Sequence, residues 1–296
     1  MDVAAIAQRV WPGSSPVLEV LGGGITNRNF KVSVDGESFV LRIGGKDTEL
    51  LGIDREAEYE ASCVAARLGV GPEVVSFLEP EGYLVTRFVE GAPVPAEELR
   101  RSERLRHLAH TLRRVHDGPA IRSRFDSFRV VEQYCATAVA HGVAIPPAFD
   151  EAKLVADTIE RARGAQALST CHNDLLNANL IRTGDALVIV DWEYAGMGDA
   201  FFDLANLAAN HELGEDDEYE LLDAYRDGAR SNDVDALRLM RYMSDFREAM
   251  WGVVQQGISE LDFDFAGYAK QHFERLGRTA ADPGFRAALA RAGRAL

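Results

Sequence analysis

The segment His172-Asn173-Asp174-Leu175-Leu176-Asn177-Ala178-Asn179 constrains this chain more than any other. Twelve residues after Asn179 stands Asp191, at the end of the apolar run Ala186-Leu187-Val188-Ile189-Val190. Two short apolar runs flank Thr183-Gly184-Asp185, the pattern of a β-hairpin. A hairpin returns both polar segments to the same end. Asp174, Asn179 and Asp191 can therefore converge on one site. A lone match would mean little, because Asp and Asn gather in turns and Asp174 could merely cap a helix.

The rest of the chain supplies a setting. Residues 17–43 alternate apolar and polar side chains around Asp35-Gly36, a strong hairpin signal. Residues 54–68 have helical composition and stop at Gly69, with Pro72 beyond. Residues 74–90 read as a second hairpin through Gly82. The linker Glu90-Gly91-Ala92-Pro93-Val94-Pro95 follows. Helical patterns then cover 97–116, 126–141 and 150–163, and most of the chain after Phe201. The tail 286–296 reads as a frayed helix. The spacing predicts an α+β, two-lobed fold: residues 1–90 as a β-rich N-lobe with one helix, a hinge near 86–91, and residues 91–296 as a larger helical C-lobe.

Phosphoryl transfer from ATP needs few covalent tools: a carboxylate to take the hydroxyl proton, and hard oxygen ligands for magnesium. Asp174 suits the first role; Asn179 and Asp191 suit the second. Upstream, Gly22-Gly23-Gly24-Ile25-Thr26-Asn27 lies between two expected strands. Its glycines allow close approach to phosphate, and Thr26 and Asn27 can donate to it. No Gly-Lys-Ser/Thr follows, so it is no Walker loop, and Asn27 stands where a dinucleotide fingerprint needs its third glycine. Arg42 interrupts the apolar strand Val40-Leu41-Arg42-Ile43, as a phosphate-binding cation would, although an outward-facing strand Arg would read the same. Glu56, or failing it Glu60, is the expected helix partner of Arg42.

Together these segments resemble the choline/ethanolamine kinase family, within the larger group that includes aminoglycoside phosphotransferases. GGGITNRNFKV, VLRIGG, DREAEYEA, CHNDLLNANLI, VIVDWEYAG, FFDLAN and AMWGVVQQGISELDFDFAGYAKQHF carry the likeness nearly end to end. It implies a protein-kinase-like fold with ATP and Mg2+ in the cleft, Gly23, Gly24, Thr26, Asn27, Arg42 and Glu56 on the nucleotide, and a small cationic acceptor. The chain differs from protein kinases: Asn173 replaces the Arg of HRD, Asp191-Trp192-Glu193 replaces DFG, and no Ala-Pro-Glu follows.

The likeness also implies an acceptor pocket built from Glu193, Tyr194, Glu248 and Trp251. Aromatic faces hold an ammonium group. A second pocket Trp of the family is here Glu248, which favours a primary amine over a methylated one. Residues 248 and 251 share a helix face and can flank one ligand. A further family carboxylate falls near Asn210, with Glu212 two residues on. Trp192 reads as packing and Asp203 as support for the catalytic loop. Choline or ethanolamine is the leading acceptor; thiamine, an aminoglycoside, or a catalytically silent nucleotide-binding role are the alternatives.

The net charge of -15 disfavours nucleic acid and anionic lipid as partners. No apolar stretch is long enough to suggest membrane insertion, and no basic leader suggests export, so a cytoplasmic protein is expected. Cys63, Cys135 and Cys171 are sparse and odd in number, against a disulfide or zinc framework. His107, His110 and His116 lack metal-ligand spacing and receive no function. The acidic run at 214–218 lacks the EF-hand pattern.

Overall fold

The computed structural model describes residues 2–22 and 27–293. Helix α1 (Val3–Val10) opens it, capped by Asp2, whose carboxylate accepts the Ala5 N–H. It had no clear signal in the sequence. Strands β1 (Val17–Leu21), β2 (Asn27–Val34) and β3 (Glu37–Gly44) come next. Asp35 (φ 53°) and Gly36 (φ 82°) both adopt the left-handed conformation that a two-residue hairpin turn requires. Helix α2 (Arg55–Arg67) begins at Asp54, whose side chain accepts the N–H groups of Glu56 and Ala57. Strands β4 (Val74–Leu78) and β5 (Tyr83–Arg87) complete an antiparallel sheet in the order β1-β2-β3-β5-β4.

Alternation puts Phe30, Val32, Phe39, Leu41 and Ile43 on the face that shares a core with Ile6 of α1. The inner face of α2, with Ala61, Val64 and Ala65, instead joins the larger core of the helical part. Short strand β6 (Ala92–Pro93) follows the linker. A side chain at Gly91 would collide with the Arg182 carbonyl, so glycine permits this close approach.

The expected helix at 97–116 is divided into α3 (Ala96–Leu99) and α4 (Ser102–His116). Next come α5 (Ser127–Ala140), α6 (Ala148–Arg163), β7 (Ser169–Cys171), β8 (Leu180–Thr183), β9 (Ala186–Ile189) and β10 (Gly196–Gly198). Helices α7 (Ala200–Asn210), α8 (Glu215–Arg226), α9 (Ser231–Ile258), α10 (Phe265–Ala281) and α11 (Pro283–Ala292) end the fold. Strand β8 pairs with β6 and β9, and β7 with β10. Helix α9 is the centre of the helical part: it packs on α5, α7 and α10, and nearly every residue from Ala236 to Gln255 is buried. Among the described residues no helix is long and apolar enough to cross a membrane. All three cysteines are free.

Candidate active site

The loop between β7 and β8 carries the His172–Asn179 segment, and α7 holds it. Asp203 is fully buried; it accepts the backbone N–H of His172 (2.8 Å) and of Asn173 (2.6 Å). His116 Nε2 donates to it from α4 (3.0 Å). Burial works against the charge of Asp203, yet these donors hold its carboxyl below the ordinary value. One turn on, Asn206 accepts the Leu175 N–H (2.6 Å). The reading of Asp203 as loop support holds, and His116, given no role from sequence, joins it. Tyr225 hydrogen-bonds the other ring nitrogen of His116 (2.7 Å).

Inside the loop, His172 Nε2 donates to the Val190 carbonyl (3.0 Å), and Nδ1 accepts the Asp174 N–H (3.2 Å). Those two bonds require the neutral ring, and burial lowers its pKa accordingly. Asn173 takes φ 66° and donates its amide to the Tyr194 carbonyl (3.0 Å). Asp191 takes φ 67° two residues beyond the end of β9. Trp192 packs as expected, its ring edge against His172 and its Nε1 on the Ile189 carbonyl (3.0 Å).

Asp174, Asn179 and Asp191 converge. Asn179 Nδ2 donates to the Asp174 carbonyl (2.9 Å) and carboxylate (3.2 Å). Asn179 and Asp191 line a cleft of ≈ 390 Å³ with Arg42. Val40, Leu84, Ile181 and Val190 supply apolar walls. The amide nitrogen of Asn179 is turned to Asp174, which leaves its carbonyl oxygen for other partners. That oxygen and the Asp191 carboxylate are hard donors on one cleft wall, a set that fits Mg2+. Burial pushes the Asp174 carboxyl up to about 7 against the opposing charge of Arg247.

Arg42 Nη1 donates to Asp191 (2.5 Å) and to Glu58 (2.8 Å). The expected partner was Glu56. The cap at Asp54 sets the phase of α2 so that Glu58, 2% exposed, points inward. Residues two apart on a helix face different ways. Glu56 and the fallback Glu60 lie outward, paired with Arg122.

Asn27 also departs from expectation. Its Nδ2 donates to Glu193 (2.8 Å) and its Oδ1 accepts from Arg55 (2.9 Å), so both ends of the amide are engaged within the protein. Glu193, expected on the acceptor, accepts at one carboxylate oxygen from both Asn27 and Arg55 (3.1 Å). Burial, with the charge of Asp191 added, pushes its carboxyl up to about 8. Gly23, Gly24 and Thr26 lie outside the described residues.

On the far side of Asp174 stands an aromatic wall. Trp251 Nε1 donates to the Tyr194 hydroxyl (3.1 Å), and its ring meets Tyr268 edge-on at 5.5 Å. Tyr268 from α10 donates to Glu248 (2.7 Å), so it touches both residues expected to flank a ligand. Glu248 also accepts from Arg247, and both its oxygens are therefore engaged. Burial is the largest influence on the Glu248 carboxyl and works to raise it, but the charges of Arg247 and His272 together with the hydrogen bonds from Tyr268 and Arg247 leave it below the ordinary value. Asn210 hydrogen-bonds Leu175 and Asn206, while Glu212 points outward with its side chain 82% exposed. Sequence reasoning missed Arg55, Glu58, Tyr268 and Arg247. Arg247 had one signal: a charge set between Phe246 and Ala249 in a helix otherwise buried all round.

The chain matches the family model described as phosphotransferase enzyme family over residues 17–240. The crystal structure of a choline/ethanolamine kinase family protein from Mesorhizobium loti superposes with a TM-score of 0.83. It is 30% identical, covering 99% of this chain and 98% of that one. The chain belongs to the phosphotransferase enzyme family, in its choline/ethanolamine kinase group. Protein LicA of Haemophilus influenzae is 29% identical over 208 residues, 69% of this chain. The match spans 61% of that relative's length. The structure of LicA in complex with AMP is 20% identical, with a TM-score of 0.77 over 95% of this chain and 99% of that one, a likeness of fold. This phosphotransferase therefore has the two-lobed, protein-kinase-like α+β fold that its sequence implied.

Proposed function

We propose that this phosphotransferase moves the γ-phosphoryl group of ATP, with magnesium, to the hydroxyl of a small amino alcohol of choline or ethanolamine type. The observation that carries this reading is the position of Asp174. Its carboxylate is bonded to Asn179 on the cleft side (3.2 Å) and to Arg247 on the aromatic side (3.3 Å), where two substrates would meet.

In this reading the segments before and after residue 90 act as two lobes around the nucleotide. Asp174 orients the acceptor hydroxyl and takes its proton as the oxygen attacks phosphorus. Asn179 and Asp191 would hold the magnesium, which when bound would neutralise charge on the phosphates. Arg42, fixed by Glu58, offers a permanent cation to the phosphate chain. Tyr194, Trp251 and Tyr268 exclude water from the acceptor. Glu248 favours an amine able to donate hydrogen bonds over a methylated ammonium.

The test is ADP release from ATP and magnesium across a panel of amino alcohols. Release that depends on one acceptor and is lost in Asp174→Asn supports the proposal. ATP binding with the same background for every acceptor would leave a silent nucleotide-binding protein.

A further inference from the structure

Arg247 is 1% exposed and lies where an acceptor would be read. Its Nη1 donates to Asp174 and to Glu248. Its guanidinium lies over the Tyr194 ring, 4.3 Å from the centroid. Its Nε and Nη2 are buried and have no partner among the described residues. Buried guanidinium donors are nearly always paired, so two open ones beside a catalytic carboxylate call for an oxygen-bearing ligand.

Covalent geometry sharpens this. Nε–H and the N–H of Nη2 share one edge of the planar guanidinium, the edge that grips a carboxylate through two parallel bonds. None of the nearby acceptor atoms among the described residues bonds that edge. Glu248 serves Arg247 and Tyr268, and the Tyr194 hydroxyl accepts from Trp251.

We infer, on the basis of the proposed amino alcohol kinase activity, that Arg247 is a specificity residue for a carboxylate. The preferred acceptor class is then small hydroxy amino acids, carrying hydroxyl, amine and carboxylate on one short chain. Ethanolamine and choline lack the group that Arg247 reads.

The experiment compares kcat/KM for L-serine, L-homoserine, ethanolamine and choline in the full chain and in Arg247→Leu and Arg247→Lys. Because Arg247 also bonds Asp174, only ratios between acceptors within one variant are read. Thermal unfolding checks that each variant is folded, and Arg247→Lys serves if the leucine variant is not. A hydroxy amino acid favoured over ethanolamine by about tenfold or more, with the ratio falling towards one in Arg247→Leu, supports the inference. Arg247→Lys should keep only part of the preference, since it retains charge without the paired edge. Ethanolamine or choline favoured by the unaltered protein, or a ratio unmoved by either variant, overturns it and leaves that edge to buried water. Turnover of no acceptor at all overturns the kinase proposal and this inference with it.

Discussion

Asn27 donates to Glu193 at 2.8 Å, joining residues 166 positions apart at the seam between the sheet and the catalytic loop. Arg55 bridges Glu193 to Glu58, Glu58 holds Arg42, and Arg42 reaches Asp191. The residue that ends the glycine-rich segment is thereby linked to the expected metal ligand through side chains alone. In a low-dielectric setting such a network is stable only when every member is paired.

Glu58→Gln removes the inward charge of that network. Its loss leaves Arg42 and Arg55 short of a buried partner, and stability should fall by about 3 kcal/mol in urea denaturation. The KM for ATP should rise with it. Glu56→Gln, on the exposed pair with Arg122, should change neither. Equal effects from the two variants would remove Glu58 from its assigned place.

Asp174→Asn keeps the shape of the loop but cannot accept a proton. Acceptor-dependent kcat should fall by about a hundredfold or more. Calorimetric binding of an ATP analogue should stay within a few-fold of the unaltered protein. A kcat within a few-fold of normal would show that another group takes the proton.

The acceptor kcat/KM should rise with pH. Only the ionised Asp174 carboxylate can take a proton, and burial raises its pKa to about 7. Activity is therefore lost as pH falls below that value and levels off above it. A profile still flat down to the ordinary carboxylate range, about 4, would count against the buried-base assignment.

Asp203→Asn replaces a charge that accepts from His172, Asn173 and His116. One amide oxygen cannot serve both backbone donors as well as two carboxylate oxygens do. Unfolding free energy should drop by about 3 kcal/mol, and kcat should fall because the loop is less fixed. Unchanged stability in chemical denaturation would refute this support role.

What could be read from the sequence was whatever repeats with a short period or sits in one segment. The turn at Asp35-Gly36 and the hairpin before Asp191 follow from local backbone preference, and the structure places both. The triad was legible because its three members lie within eighteen residues of one another. Helical phase was harder: Glu56, Glu58 and Glu60 look alike in sequence, and only the cap at Asp54 decides which one faces Arg42. Asn27 and Glu193 gave no hint of each other, because a contact between distant segments depends on how whole elements pack. Arg247 was hidden for the same reason: its neighbours Asp174 and Tyr194 come from the loop region and not from its own helix.

The left-handed backbone at Asn173 and Asp191 limits which side chains evolution or a mutagenic library can install there. Glycine, asparagine and aspartate tolerate that geometry, whereas branched residues do not. Glycine at 191 would preserve the chain's path while deleting the ligand, so at this position architecture and chemistry can be taken apart one substitution at a time.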